Sequence, residues 1–256
     1  MSECMLCQSR RAEQPFLIEP VGLRIWSIEE LLYFIGENLP LVDEDIINQK
    51  LVDWIKEELH MRRLAGILTQ IIGKPFTVRE FVLPIFHETG YPGETPMRKT
   101  LNAMDDFSAL PTPVRLKKKA DVLVHHTRYL RAIETYHSVL DYQQSSHLGA
   151  QFTGVIYHNI GCVYAKLFQM EEACSSLKES YRLLHSSEAL KHYLTAVYLK
   201  DGREAFLQEA KAQNIDPATQ SGIEKSIGEI DVGMHPENPD EALAGWVHAY
   251  HRSTGL

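Results

Sequence analysis

Two stretches of the chain share one spacing of small and large apolar residues, and this spacing limits the possible folds more than any other feature. Around Ala132 stand Leu116, Ala120, Leu123, Tyr129 and Tyr136. Around Ala173, at the same offsets, stand Tyr157, Gly161, Tyr164, Met170 and Leu177. In each stretch a small residue precedes a second small residue by twelve positions, with large apolar side chains at helical intervals about them. The pattern predicts two antiparallel helices that cross closely at the small residues, while the large residues fill the space between hairpins.

This arrangement resembles the tetratricopeptide repeat (TPR) family, whose 34-residue hairpins carry small residues at set positions in both helices. The resemblance implies repeats at Pro113 to Ser146 and Gly154 to Ser187. The chain departs from the family's pattern at Leu116 and Tyr157, where Trp is expected, and at Gln144 and His185, where Pro is expected. The residues between the two repeats predict that one of the flanking helices is lengthened. A third, less regular hairpin follows, with Ser187 as N-cap, Glu188 to Lys200 as one helix, Asp201-Gly202 as the turn and Arg203 to Gln213 as the next helix.

The same resemblance implies a concave groove lined by the first helix of each hairpin. Carried over by register, its residues are Lys117, Asp121 and His125, then His158, Asn159, Cys162 and Lys166, then His192 and Lys200. Lys117 and Asn159 match the family's clamp for a C-terminal carboxylate. Asp121 stands where Asn is expected and would repel a carboxylate, so that clamp is not expected. Polar lining of this kind can satisfy a peptide backbone by hydrogen bonds.

The chain has 256 residues, 44% of them hydrophobic, enough for one large or two modest cores. Its net charge of −8 argues against nucleic acid or an anionic membrane as partner, since phosphate binding needs concentrated Lys and Arg. Between Ser27 and Leu110 fourteen acidic residues face eight Lys or Arg, which does not suit a DNA-reading helix. No secretory leader or membrane span is expected: the longest uncharged run, Tyr142 to Ala165, is rich in Gln, Ser and His. Four Cys read as free thiols place the chain in the cytoplasm.

Ahead of the array, Phe16 to Glu19 and Leu23 to Trp26 predict two short strands around Pro20-Val21-Gly22, and this hairpin must lie on the helices that follow. The residues from Phe16 to Leu31 are similar to the start of uncharacterised bacterial proteins, a likeness that implies no function. Ser27 with Glu30 predicts a capping box. Helices are expected over Asp43 to His60, Met61 to Ile72, Thr77 to Phe86 (with Pro84 kinking or ending it) and Met97 to Leu110. After the array, Asp216-Pro217 and Asn238-Pro239 each open a helix. The last helix gathers Ala242, Leu243, Trp246, Val247 and Tyr250 on one face, as a terminal cap would, or as a segment lying in the array's own groove.

The fold class implied is all-α, with four regions: 1–26 (Cys pair and β-hairpin), 27–110 (helical module), 113–213 (repeat array) and 214–256 (capping helices). Cys4-x-x-Cys7 could chelate zinc or cycle as a dithiol, but no second Cys pair, spaced His pair or βαβ context accompanies it. No phosphate loop, nucleophile elbow, paired-His zinc motif or calcium loop is present. The expectation is a non-catalytic adaptor with no cofactor and no metal, binding a protein or peptide through the groove. The alternatives are a peptide-sensing regulator acting through residues 27 to 110, and an enzyme or zinc protein using Cys4 and Cys7.

Overall fold

The computed structural model describes residues 9–90, 93–146, 149–229 and 238–254, and the chain divides into two compact units, Met1–His126 and Thr127–Leu256. Among the described residues the fold is all-α apart from one two-stranded hairpin. Cys4 and Cys7 lie outside the described residues.

In the N-terminal unit, β1 (Phe16–Ile18) and β2 (Leu23–Ile25) pair antiparallel. They lie on α2 (Gln49–Glu57) as expected. The Trp54 indole donates to the Gln14 carbonyl at 2.8 Å and its ring stands 5.8 Å from that of Phe16. Ser27 opens α1 (Ile28–Glu37) by accepting from the Glu30 N–H. The Glu30 carboxylate reaches back one residue further than a capping box requires, accepting from the Trp26 N–H at 2.5 Å. Glu29 is buried, and its carboxylate accepts from both the N–H and the hydroxyl of Ser9. A buried charge is tolerable when it is so bonded and lies at a helix N-terminus.

Three expectations for this unit need correction. The helix expected from Asp43 begins only at Gln49, because Asn48 caps it through the Leu51 N–H at 3.2 Å while Asp43 holds the Asp45 N–H at 3.0 Å in a local turn. After α3 (Arg62–Ile72), α4 (Val78–Thr89) runs through Pro84 to the left-handed Gly90, four buried side chains around the proline holding it on course. Its start carries the complete capping box, Thr77 with Glu80. Finally, α5 (Glu94–Ser108) is followed by α6 (Thr112–His125), which belongs to the N-terminal unit although it was expected to begin the array. It packs on the turn Leu39–Leu41, pairs Lys119 with Asp43, and is followed by His126, whose ring bonds the Asn38 side chain at 2.7 Å. The boundary therefore falls after His126 and not at Pro111-Thr112-Pro113.

The C-terminal unit comprises α7 (Tyr129–Ser146), α8 (Ala150–Lys166), α9 (Met170–Leu184), α10 (Ser187–Ala212), α11 (Pro217–Gly228) and α12 (Pro239–Thr254). The repeated spacing has a repeated backbone. α6 and α8 end at His125 and Lys166, Thr127 and Phe168 turn at φ 58° and 59°, and α7 and α9 begin at Tyr129 and Met170. Of the extra residues between the repeats, 150–153 lengthen α8 at its start, while α7 ends with the first repeat at Ser146. At the crossing of α8 with α9, a Cβ on Gly161 would stand 2.6 Å from Leu177 Cγ, and one on Gly154 2.6 Å from Leu184 Cγ. These glycines are small because the helices touch there.

α10 is capped by Ser186, one residue ahead of the expected Ser187, and breaks at Gly202 (φ 83°, ψ −176°), in the expected turn. That conformation is open essentially to glycine alone. Tyr198 and Phe206 meet edge to face across the break, 5.6 Å apart, and join Leu177, Leu194, Val197 and Ile223 in the core. α12 does not form the packed cap expected of it. Leu243, Trp246, Val247 and Tyr250 remain 45% to 56% exposed, and in its last turn the Arg252 carbonyl accepts from the guanidinium of Arg128, just ahead of α7.

Candidate functional site

Of the residues expected to line the groove, Lys117, Asp121 and His125 stand on α6, in the N-terminal unit, and His158, Asn159, Cys162, Lys166 and His192 in the C-terminal unit. On α6, Lys117 donates to Asp121 at 2.7 Å, one helical turn on, and His125 stacks edge-on against His126. On α8, Asn159 turns toward α7, its amide donating to the phenol of the buried Tyr136 at 3.3 Å. It serves to hold these two helices together.

The other residues converge. His158 and His192 are 34 residues apart, and their ring nitrogens Nε2 and Nδ1 stand 2.7 Å from each other with the rings stacked at 4.9 Å. Cys162 lies one turn after His158 on α8, its Sγ 4.0 Å from both nitrogens of that ring. The three donor atoms lie within 4.8 Å of one another. Lys166 and Lys200 stand one and two turns beyond, both exposed. A period of one repeat thus places His158 of α8 beside His192 of α10, and each is followed two turns later by a lysine, Lys166 and Lys200.

The electrostatics of this cluster follow from partial burial. Burial, and then the neighbouring His192, lower the pKa of His158 and favour its neutral form, against the opposing influence of Glu188 and the bond to Asn159. Burial raises the pKa of the Cys162 thiol, with Glu188 acting in the same sense and Lys166 opposing it. Cys174 shifts the same way, chiefly by burial. A Cys–His nucleophile needs a depressed thiol pKa and an in-plane hydrogen bond to the imidazole. Cys162 has neither, because its sulfur is equidistant from both ring nitrogens and its thiol form is favoured.

What the cluster does offer is two imidazoles and a thiol, the donor types that late first-row transition metals prefer. Reading residues singly missed this group. The signal was present in the sequence as two pairs at helical spacing, His158 with Cys162 and Glu188 with His192. A cavity of about 630 Å³ lies on α8 and α9, lined by Tyr157, Ser176, Lys178, Glu179, Arg182 and His185. It is open to solvent, and two of its charged side chains, Arg182 and Glu179, are bound to each other by two hydrogen bonds.

No helix among the described residues is long and apolar enough to cross a membrane. No family model, curated protein or solved structure matches the chain.

Proposed function

We propose that the chain is a non-catalytic binding protein that holds a protein or peptide along the surface shared by α8 and the first half of α10. The observation that carries this reading is the contact of His158 with His192 one repeat apart, which joins α8 and α10 through polar side chains on one surface. A TPR-like array uses such a surface to bind extended segments. Here Lys166 and Lys200 flank it and favour an acidic segment of the partner. Free thiols at Cys162 and Cys174 suit a reducing compartment, and the cytoplasm is the location we assign.

The test is capture of partners from a lysate of the native organism by the full-length chain and by a Lys166→Glu, Lys200→Glu variant. Both lysines are exposed, so the variant should fold normally. Loss of a protein that the unaltered chain retains is the expected result. Equal recovery by both would overturn the assignment of this surface.

A further inference from the structure

We propose that His158, Cys162 and His192 bind one zinc ion, or another late first-row divalent ion, between α8 and α10. The proposal goes beyond partner binding and does not rest on it, although the two share a surface.

The geometry is close to what such a site requires. In a tetrahedral site with Zn–N of about 2.0–2.1 Å and Zn–S of about 2.3 Å, donor atoms stand roughly 3.3–3.6 Å apart. The His158–His192 nitrogens at 2.7 Å would open by about half an ångström, and the Cys162 sulfur at 4.0 Å would close by a similar amount. Rotation of the exposed His192 side chain opens the first distance, and rotation of the Cys162 and His158 side chains, one turn apart on α8, closes the second. Two donors come from one turn of α8 and one from α10. The donors are thus fixed on rigid elements, the condition for a preorganised site.

The fourth position has a candidate on the same surface. Glu188 lies one turn before His192 on α10, exposed, but outside the group of donor atoms that stand within 4.8 Å of one another. Its place there is to orient a water that completes the coordination. On binding, Cys162 enters as thiolate and its proton passes to solvent, while both imidazoles enter neutral. An ion so held would tie consecutive hairpins together and fix the spacing of the binding surface. Oxygen-only ions such as magnesium or calcium do not suit this donor set.

The experiment uses the full-length chain, stripped of metal by a chelator, titrated with cobalt(II) as spectroscopic probe and then with zinc. Expected is one equivalent of cobalt with a thiolate-to-cobalt charge-transfer band, displaced by zinc. Cys162→Ser should abolish the band. His192→Ala, at an exposed position that folding does not need, should weaken zinc by more than about 100-fold, since loss of a direct ligand exceeds the 10- to 100-fold effect of outer-shell changes. A Cys4→Ser, Cys7→Ser variant should keep both band and stoichiometry. The proposal is overturned if the band survives Cys162→Ser, disappears with the Cys4, Cys7 variant, or if His192→Ala binds zinc unchanged. Circular dichroism of each variant separates lost ligation from lost fold. No partner protein takes part, so failure here leaves the partner-binding proposal to its own test.

Discussion

In the N-terminal unit, Ser27, Asn48 and Thr77 each open a helix with a side-chain oxygen, whereas α8 and α9 open at Gly149 and Gln169 with no side-chain cap bond. The latter pair is fixed by a different device, the close approach of helix to helix at Gly154 and Gly161. Capping chemistry decides where a single helix starts. Small residues at a crossing decide how two helices lie, and leave their ends to the connecting turns. Glycine consequently has opposite meanings inside a lone helix face and at a helix crossing. Gly66, in α3, has open space where a Cβ would go, while Gly161 has the Leu177 side chain and backbone there.

The largest effect should come from Gly161→Ala. Alanine gains about 1 kcal/mol of helix propensity over glycine. Against this, a methyl 2.6 Å from Leu177 Cγ and 3.1 Å from the Leu177 backbone nitrogen must push α8 off α9. Overpacking costs about 1–3 kcal/mol, so the net change is destabilising, read as a Tm lower by a few degrees at roughly 2–4 °C per kcal/mol for a chain of this size. A variant more stable than the parent would show that the crossing is loose and would remove the contrast between the units. Next is Thr77→Ala, which deletes the complete capping box of α4 and should cost about 1 kcal/mol. The fluorescence of Trp26 and Trp54, both in the N-terminal unit, follows its unfolding in urea. An unchanged midpoint would mean that packing around Phe81 and Phe86 sets the start of α4 without help from the cap.

These two devices also explain which parts of the fold were legible in the sequence. Caps and turns are local, so Ser27, Thr77, the Asp201-Gly202 break and Asp216-Pro217 could be read directly, and the repeated spacing around Ala132 and Ala173 reappears as a repeated turn at Thr127 and Phe168. Errors arose where a local rule met a competing partner. Asp43 and Asn48 spend their side chains on the turn before α2, and Pro84 is carried through by the apolar residues about it. The assignment of α6 to the N-terminal unit depends on Lys119 and Asp43, far apart in sequence, and no spacing rule announces such a pair. The candidate site was half legible. Its residues could be named from the repeat register, but their convergence required knowing that α8 and α10 lie side by side. The bond from Asn159 to Tyr136 of α7 had no signal in the repeat register.

Gly66→Ala sharpens the comparison from the other side. Gly66 is exposed in the middle of α3 with nothing within 4 Å of the added carbon, so only the propensity gain remains. The variant should be more stable by about 0.5–1 kcal/mol. Loss of stability would mean that α3 needs flexibility at that point, and glycine would then have a structural role in both units.

The smallest effect expected is that of Lys117→Gln, and it bears on where α6 belongs. Lys117 and Asp121 are partly exposed and paired at one-turn spacing, with the cation ahead of the anion, the weaker orientation with respect to the helix dipole. Such a pair contributes about 0.3–0.5 kcal/mol and is screened by salt. The variant should lose that amount in dilute buffer and match the parent in about 1 M salt, where the screening length falls to roughly 3 Å. A loss well above 1 kcal/mol that persists in salt would show that Lys117 packs through its aliphatic stem and is part of the N-terminal core. A loss of partner capture with stability unchanged would mean that Lys117 itself touches the partner.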